Sequence, residues 1–238
     1  RQAEAMDLIM AQGSVDKSWL TRKIPADSIK SLLAKGYIKV ESKVRDNSRQ
    51  DYALSPSQQE AMDRIEESLE RGEKAEYLLY GITGSGKTEV YIHAIKSTLQ
   101  RGKSALLLIP EIALTRHLVE IFLARIPDLA VIHSRMTPGE RHDEWKRIRS
   151  GEAKLVLGTR SAVFAPLVDP GLIIIDEEQE HSYKQQEPPR YHAREVARKL
   201  AVQHSAVLLL GSATPSFETF HRAKVREIGL LKMPERIG

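Results

Sequence analysis

Two hydrophobic rhythms divide the chain. In residues 1–44, Ala5, Met6, Ile9 and Met10 recur at helical spacing, and Gly13 ends that stripe. A short second helix over residues 17–21 follows. Pro25 then stands where the first turn of a third helix tolerates it, Ile29, Leu32 and Leu33 give that helix its apolar face, and Gly36 closes it. Residues 37–42 alternate like a strand. Three short helices and a β-wing predict a small N-terminal winged-helix domain over residues 1–44, whose third helix would approach DNA. A protein-docking linker is the alternative reading of the same segment. Polar, charged residues 45–51 are the expected linker.

From residue 52 the rhythm changes. Apolar runs at 77–80, 105–109, 129–132, 155–157, 172–175 and 207–210 are short and bounded by turns. Amphipathic or charged helical stretches separate most of them. Near-continuous apolar strands are buried on both faces, the mark of a parallel sheet between helix layers. Residues 52–238 are therefore expected to form one α/β lobe, a doubly wound parallel sheet.

Composition narrows the classes. A chain of 238 residues can bury one large α/β domain and a small one. It contains no run of 18 apolar residues for a membrane helix, and its start lacks a charged-then-apolar leader. With no cysteine, it holds no disulfide, Cys-type zinc site or thiol nucleophile. Arg1 rather than Met leads it, which reads as a segment of a longer, cytoplasmic enzyme. Residues 1–50 carry ten Lys and Arg against six acids, a balance of +4 that equals the net charge of the whole chain. A basic surface attracts phosphate backbones, although such faces are also often only solvated.

The chemistry falls at strand ends. After residues 77–80 comes GITGSGKT, residues 81–88, a full GxxxxGK[ST] phosphate loop. Its glycines let backbone N–H groups point at phosphate oxygens, and the following helix adds its positive end. Gly81, Thr83, Gly84, Ser85, Gly86, Lys87, Thr88 and the adjoining Glu89 are the expected nucleotide contacts. Lys87 would reach the β- and γ-phosphates, and the Thr88 hydroxyl would ligate Mg²⁺. The run 172–175 then ends in Asp176, Glu177 and Glu178. Asp176 is placed for the Mg²⁺ shell and Glu177 for activating the attacking water. A glutamate after the aspartate favours hydrolysis over phosphoryl transfer to a small substrate. The guanine-reading NKxD of GTPases is absent from the sequence. The third element is GSATP, residues 211–215, whose Ser212 and Thr214 hydroxyls can link the hydrolysis site to another surface.

In order and density these stretches resemble the PriA family, the primosomal replication-restart helicases of superfamily 2. The matching runs are GITGSGKTEVY (81–91), IPEIALT (109–115), His133-Ser134, ERHDEW (140–145), GTRSAVFAP (158–166), DEEQEHSYKQ (176–185), RYHAR (190–194) and GSATP. The resemblance implies a RecA-like first helicase lobe, a P-loop NTPase, behind a winged helix. It also implies an ATP- and Mg²⁺-dependent DNA helicase or translocase, moving 3′ to 5′, that acts at stalled or abandoned forks to restart replication and assemble the primosome. Implied partners are single-stranded and forked DNA, single-strand-binding protein and other primosome proteins. The implied location is the bacterial cytoplasm, at the nucleoid, with no membrane. Family members also carry a second lobe with an arginine finger and Cys-ligated zinc. This segment has no ligand set for zinc, and as the ATP-binding half it is not expected to be active alone.

By the same resemblance Gln58 is the adenine-reading glutamine, with neighbouring Gln59 as the other register. Thr115, Thr159 and Arg160 fall in motifs that contact the single-strand backbone. An intradomain salt bridge is the alternative for Arg160. Residues 182–192 resemble the aromatic-rich loop, in which Tyr183, Lys184, Arg190, Tyr191 and His192 would stack on and neutralise unpaired DNA. Two departures stand out. Gln179 replaces the histidine of DEEH, and Pro188-Pro189 stands where a tryptophan often precedes RYHAR, so weaker stacking is expected. His133 and Trp145 match family positions and read as packing and helix-surface residues. A translocase that never separates strands and a nucleotide-latched DNA-binding scaffold are the alternative functions.

Overall fold

A computed structural model of the chain describes residues 52–237. The expected winged helix and linker lie outside them. Helix α1 (Pro56–Arg71) starts on a capping box in which Ser55 and Gln58 satisfy each other's backbone N–H groups, with Pro56 in the first turn. It ends at Gly72, whose φ of 62° suits a residue without a Cβ. The phosphate loop then joins β1 (Ala75–Gly81) to α2 (Lys87–Gln100). Next come β2 (Ser104–Leu108), α3 (Arg116–Arg125), β3 (Leu129–Ile132), α4 (Pro138–Arg149), β4 (Leu155–Gly158) and β5 (Pro170–Ile175). A two-stranded antiparallel ribbon, β6 (Lys184–Gln185) and β7 (Tyr191–His192), precedes α5 (Ala193–Gln203). The remaining elements are β8 (Val207–Ser212), α6 (Phe217–Lys224) and β9 (Gly229–Met233).

Seven strands form one parallel sheet in the order β3-β4-β2-β5-β8-β1-β9. The pleat sorts their side chains. Leu79, Leu107, Ile174 and Leu209 face one core with Ile65 of α1 and Ile95 of α2. Leu108, Ile175 and Leu210 face another, against Ala193, Ala197 and Ala201 of α5. These alanines recur every fourth residue, so α5 lies close on the sheet through its smallest side chains. The six expected strands are all present.

The seventh strand of the sheet, β9, was not expected. It pairs only with β1, at the edge, and Lys232 stands exposed within it. An edge strand of this kind reads as a mixed, polar-interrupted run. Among the described residues, no helix is long and apolar enough to cross a membrane.

Candidate nucleotide-hydrolysis site

Strand order gathers the chemistry. The phosphate loop leaves β1, the acidic motif leaves β5 and the GSATP turn leaves β8, and these three strands are neighbours in the order β5-β8-β1. All three motifs therefore share the C-terminal rim of the sheet, where ligands of open α/β sheets bind.

The loop curls on two positive-φ glycines, Gly84 and Gly86. Gly86, at φ 78°, forms the N-cap of α2, and a side chain there would overlap Gln58 and Ile237. Lys87 and Thr88 occupy the first turn, and Lys87 Nζ donates to the Gly81 carbonyl at 3.0 Å. Thr83 and Gly84 are exposed, whereas Ser85 is buried with its Oγ unpartnered against Gly81. Ile237, beyond β9, donates its N–H to the Gly84 carbonyl at 3.0 Å.

The acidic motif meets the loop. Glu177 Oε1 lies 3.9 Å from Lys87 Nζ, and the glutamate backbone is held in the left-handed region at φ 46°. A non-glycine residue there is uncommon and clusters at functional sites. Asp176 Oδ1 accepts from the Tyr91 hydroxyl at 2.8 Å, and its carbonyl accepts from the Tyr183 hydroxyl at 2.6 Å. Burial pushes the Asp176 carboxyl above its ordinary range, and the Tyr91 hydrogen bond opposes that rise. Burial and the neighbouring Asp176 hold the Tyr91 phenol well above its usual range, so it remains a proton donor.

Gln179 bridges the two outer motifs. Its Nε2 donates to Glu177 Oε2 at 2.9 Å, and its Oε1 accepts from Ser212 Oγ at 2.6 Å. Ser212 Oγ in turn accepts the Thr214 N–H at 2.9 Å. A chain of polar contacts thus runs from Lys87 through Glu177 and Gln179 to the GSATP turn. Gln179→Ala removes both side-chain bonds. Each net bond is worth about 1 kcal/mol, so DNA-stimulated ATP turnover should fall on the order of tenfold with ATP affinity unchanged. Turnover with and without single strands, on a polypeptide of full family length carrying this segment, checks it. Equal stimulation in both forms would remove Gln179 from the coupling path.

Several expected roles are corrected. Gln58 is 1% exposed, with Nε2 donating to the Ser85 and Gly86 carbonyls at 3.2 Å and Oε1 accepting from the Ser55 N–H at 2.8 Å. Its amide props the phosphate loop and offers no bidentate edge to adenine. Gln59 in the other register pairs outward with Asp63. Glu89 makes a two-pronged ion pair with Arg125, 2.7 Å on one prong, because α3 packs beside α2. It is no phosphate-side contact.

Thr159 is 2% exposed where it directly follows β4, which removes it from any strand of DNA. Tyr183 is fully buried in the core under β5, so its ring cannot stack on bases. Among the described residues, Arg160 turns its NH1 to backbone carbonyls instead of a carboxylate. That group donates to the Ser182 and Lys184 carbonyls at 3.0 and 2.9 Å, tying down the start of the aromatic-rich loop.

Other expected residues remain outward. Thr115 is exposed and caps α3 by accepting the Leu118 N–H. Lys184 and Arg190 are exposed, and Arg190 Nε donates to the Gln186 carbonyl at 3.0 Å. Tyr191 is half-buried, edge-on to Phe164 with centroids 4.9 Å apart. His192 caps α5 by accepting the Arg194 N–H, and burial together with Arg194 pushes its imidazolium pKa down.

One cluster went unnoticed in the sequence. Glu178, 1% exposed, accepts from Arg194, from the Ser216 N–H at 2.7 Å and from Thr219 Oγ1 at 3.0 Å. It joins β5 to α5 and α6. Its only sequence signal was an arginine closing RYHAR.

The fold and this rim define an α/β lobe of the phosphate-loop class. The family described as DEAD/DEAH box helicase matches residues 55–223, and the chain belongs to it. The curated sequences it is similar to are replication restart proteins. It is 44% identical over 221 residues to replication restart protein PriA of Bacillus subtilis (strain 168), covering 89% of this chain and 28% of that protein. It is 38% identical over 255 residues to the PriA of Synechocystis sp., covering 99% of this chain and 30% of that protein. The chain thus spans less than a third of the length of these relatives. Among solved structures, RecG bound to a three-way DNA junction superposes with a TM-score of 0.60 at 21% identity, over 84% of this chain and 26% of that one, a likeness of fold.

Proposed function

We propose that this chain is the ATP-binding half of a DNA helicase that restarts replication, working 3′ to 5′ on single-stranded and forked DNA. The observation that carries this reading is the contact chain Lys87–Glu177–Gln179–Ser212, which joins all three rim motifs. ATP is the substrate, and Mg²⁺ use follows from the helicase family. A Mg²⁺ ion is held by one or two carboxylates plus substrate phosphates, and Asp176 with the Thr88 hydroxyl is a donor set of that kind. When bound, the ion neutralises charge on the phosphate oxygens.

The chain's own residues do the rest. The loop amides and Lys87 hold the phosphates. Glu177 accepts the proton of the attacking water, its carboxylate aimed by Gln179 and its backbone by the left-handed turn. The aromatic-rich loop is bonded to the site by Tyr183 at the Asp176 carbonyl, and Arg160 holds the loop's Ser182 and Lys184 carbonyls. Exposed Lys184 and Arg190 and the edge of Tyr191 would meet DNA, and any displacement of that loop would be felt at Asp176. The remaining features of the reading are a winged-helix domain in residues 1–44, single-strand-binding and primosome proteins as partners, a cytoplasmic, nucleoid-associated site of action, and zinc held outside this cysteine-free segment.

Strand displacement on forks with a 3′ or a 5′ tail, by a polypeptide of full family length carrying this segment, tests the reading. ATP-dependent displacement with the 3′ tail and not with the 5′ tail supports it, and the reverse preference would overturn the polarity. ATP-driven movement without displacement would make the protein a translocase instead. On the chain itself, Lys87→Ala should weaken ATP binding about 10- to 100-fold, the loss of one charge-assisted contact, with the fold retained. Calorimetric titration checks it, and unchanged affinity would refute the phosphate-loop assignment.

A further inference from the structure

We infer that Tyr91 is a positioning residue for divalent-cation binding, holding the Asp176 carboxylate in its ligating orientation from beneath the GSATP turn. The inference rests on the reading of Asp176 as the Mg²⁺ ligand and deepens it.

The geometry is specific. Lys87 and Tyr91 are four residues apart on α2, so they share one helix face. The first reaches the phosphate loop, and the second passes one turn deeper under the end of β8. There the Tyr91 hydroxyl donates to Asp176 Oδ1 at 2.8 Å, and the tyrosine is 1% exposed. Its path exists only because residue 211 is glycine. A Cβ on Gly211 would overlap the Tyr91 hydroxyl and come within 3.3 Å of Asp176 Oδ1. The space a side chain would fill in the GSATP turn is filled instead by the phenol of the nucleotide-binding helix. Three strand ends are therefore keyed to one hydroxyl, since β8 lies between β1 and β5.

The consequence is chemical as well as steric. With Oδ1 engaged by a neutral donor, the carboxylate cannot swing freely about its terminal torsion, which is otherwise broad. A cation then meets a carboxylate already oriented, and less rotational freedom is lost on binding. Neither Tyr91 nor Gly211 needs to touch substrate. The role belongs to the hydroxyl, so it is separable from the ring that packs the core.

The test is the Mg²⁺ dependence of ADP binding to the 238-residue chain, followed by calorimetry with MgCl₂ and with EDTA. Tyr91→Phe keeps the ring and removes the donor. The Mg²⁺ concentration for half-maximal enhancement of ADP affinity should rise about five- to tenfold, the worth of one hydrogen bond, with metal-free ADP affinity unchanged. Gly211→Ala, which displaces the phenol, should reproduce that shift. Asp176→Asn is the control for the underlying reading, and it should abolish the enhancement. If Asp176→Asn responds and Tyr91→Phe does not, the positioning role is wrong while the ligand assignment stands. If neither responds, Asp176 is not the ligand and the inference falls with it. A Tyr91→Phe loss of affinity in EDTA as large as that in Mg²⁺ would mean a distorted helix, and would also overturn it.

Discussion

Glu177→Gln is expected to lower ATP turnover by about 10²–10⁴, the usual contribution of a positioned general base, while ATP affinity stays within about threefold. The substitution is isosteric, so the Gln179 contact can persist through the remaining oxygen. What disappears is the negative charge that accepts a proton and faces Lys87 at 3.9 Å. Stability should barely move, because the Glu177 side chain is 34% exposed and its ion pair with Lys87 is long. The measurement is steady-state hydrolysis with saturating single strands, on a polypeptide of full family length carrying this segment, beside nucleotide binding on the same preparation. Turnover within tenfold of the parent would place the base elsewhere.

The next residue should behave in the opposite way. Glu178→Ala is expected to destabilise the lobe by about 3–5 kcal/mol, because removing one partner of a buried ion pair leaves the other charge uncompensated. The Glu178 side chain has no exposed surface, and Arg194 is 12% exposed with its NH1 also donating to Ser216 and Thr219. Alanine leaves that guanidinium only the longer, exposed ion pair with Glu195 at 3.7 Å and unbonds the Ser216 N–H at the start of α6. Urea unfolding should show a lower midpoint with an unchanged slope. Glu178→Gln, which keeps most acceptor positions, should recover part of the loss. A change below about 1 kcal/mol for alanine would show that water replaces the carboxylate without penalty.

Adjacent glutamates with such different environments show where sequence reading stops. DEEQ announces carboxylates at a strand end, but not which one turns into the helix layer. Backbone direction decides that. The left-handed turn at Glu177 sends its side chain toward Lys87 and drives Glu178 inward beneath β8. Tyr183 is a similar case. An aromatic among cations reads as a stacking platform, yet this ring is the loop's anchor in the core, while Ser182, Lys184 and Arg190 on either side of it stay on the surface.

Local features were legible because local rules produce them. Near-continuous apolar runs mark strands covered on both faces, wherever those strands finally lie in the sheet. The phosphate loop needs its glycines and lysine at fixed spacing, since one short stretch of backbone must curl around phosphate.

What only the tertiary structure decided is which distant groups meet. The order β5-β8-β1 brings Ser212 to Gln179 across 33 residues and Tyr91 to Asp176 across 85. Helix placement on the sheet turns Gln58 onto the phosphate loop and commits Glu89 to Arg125. No periodicity in the chain encodes those pairings. They arise because a parallel sheet closes its crossovers through helices, so neighbours at the rim are separated in sequence by whole βα units.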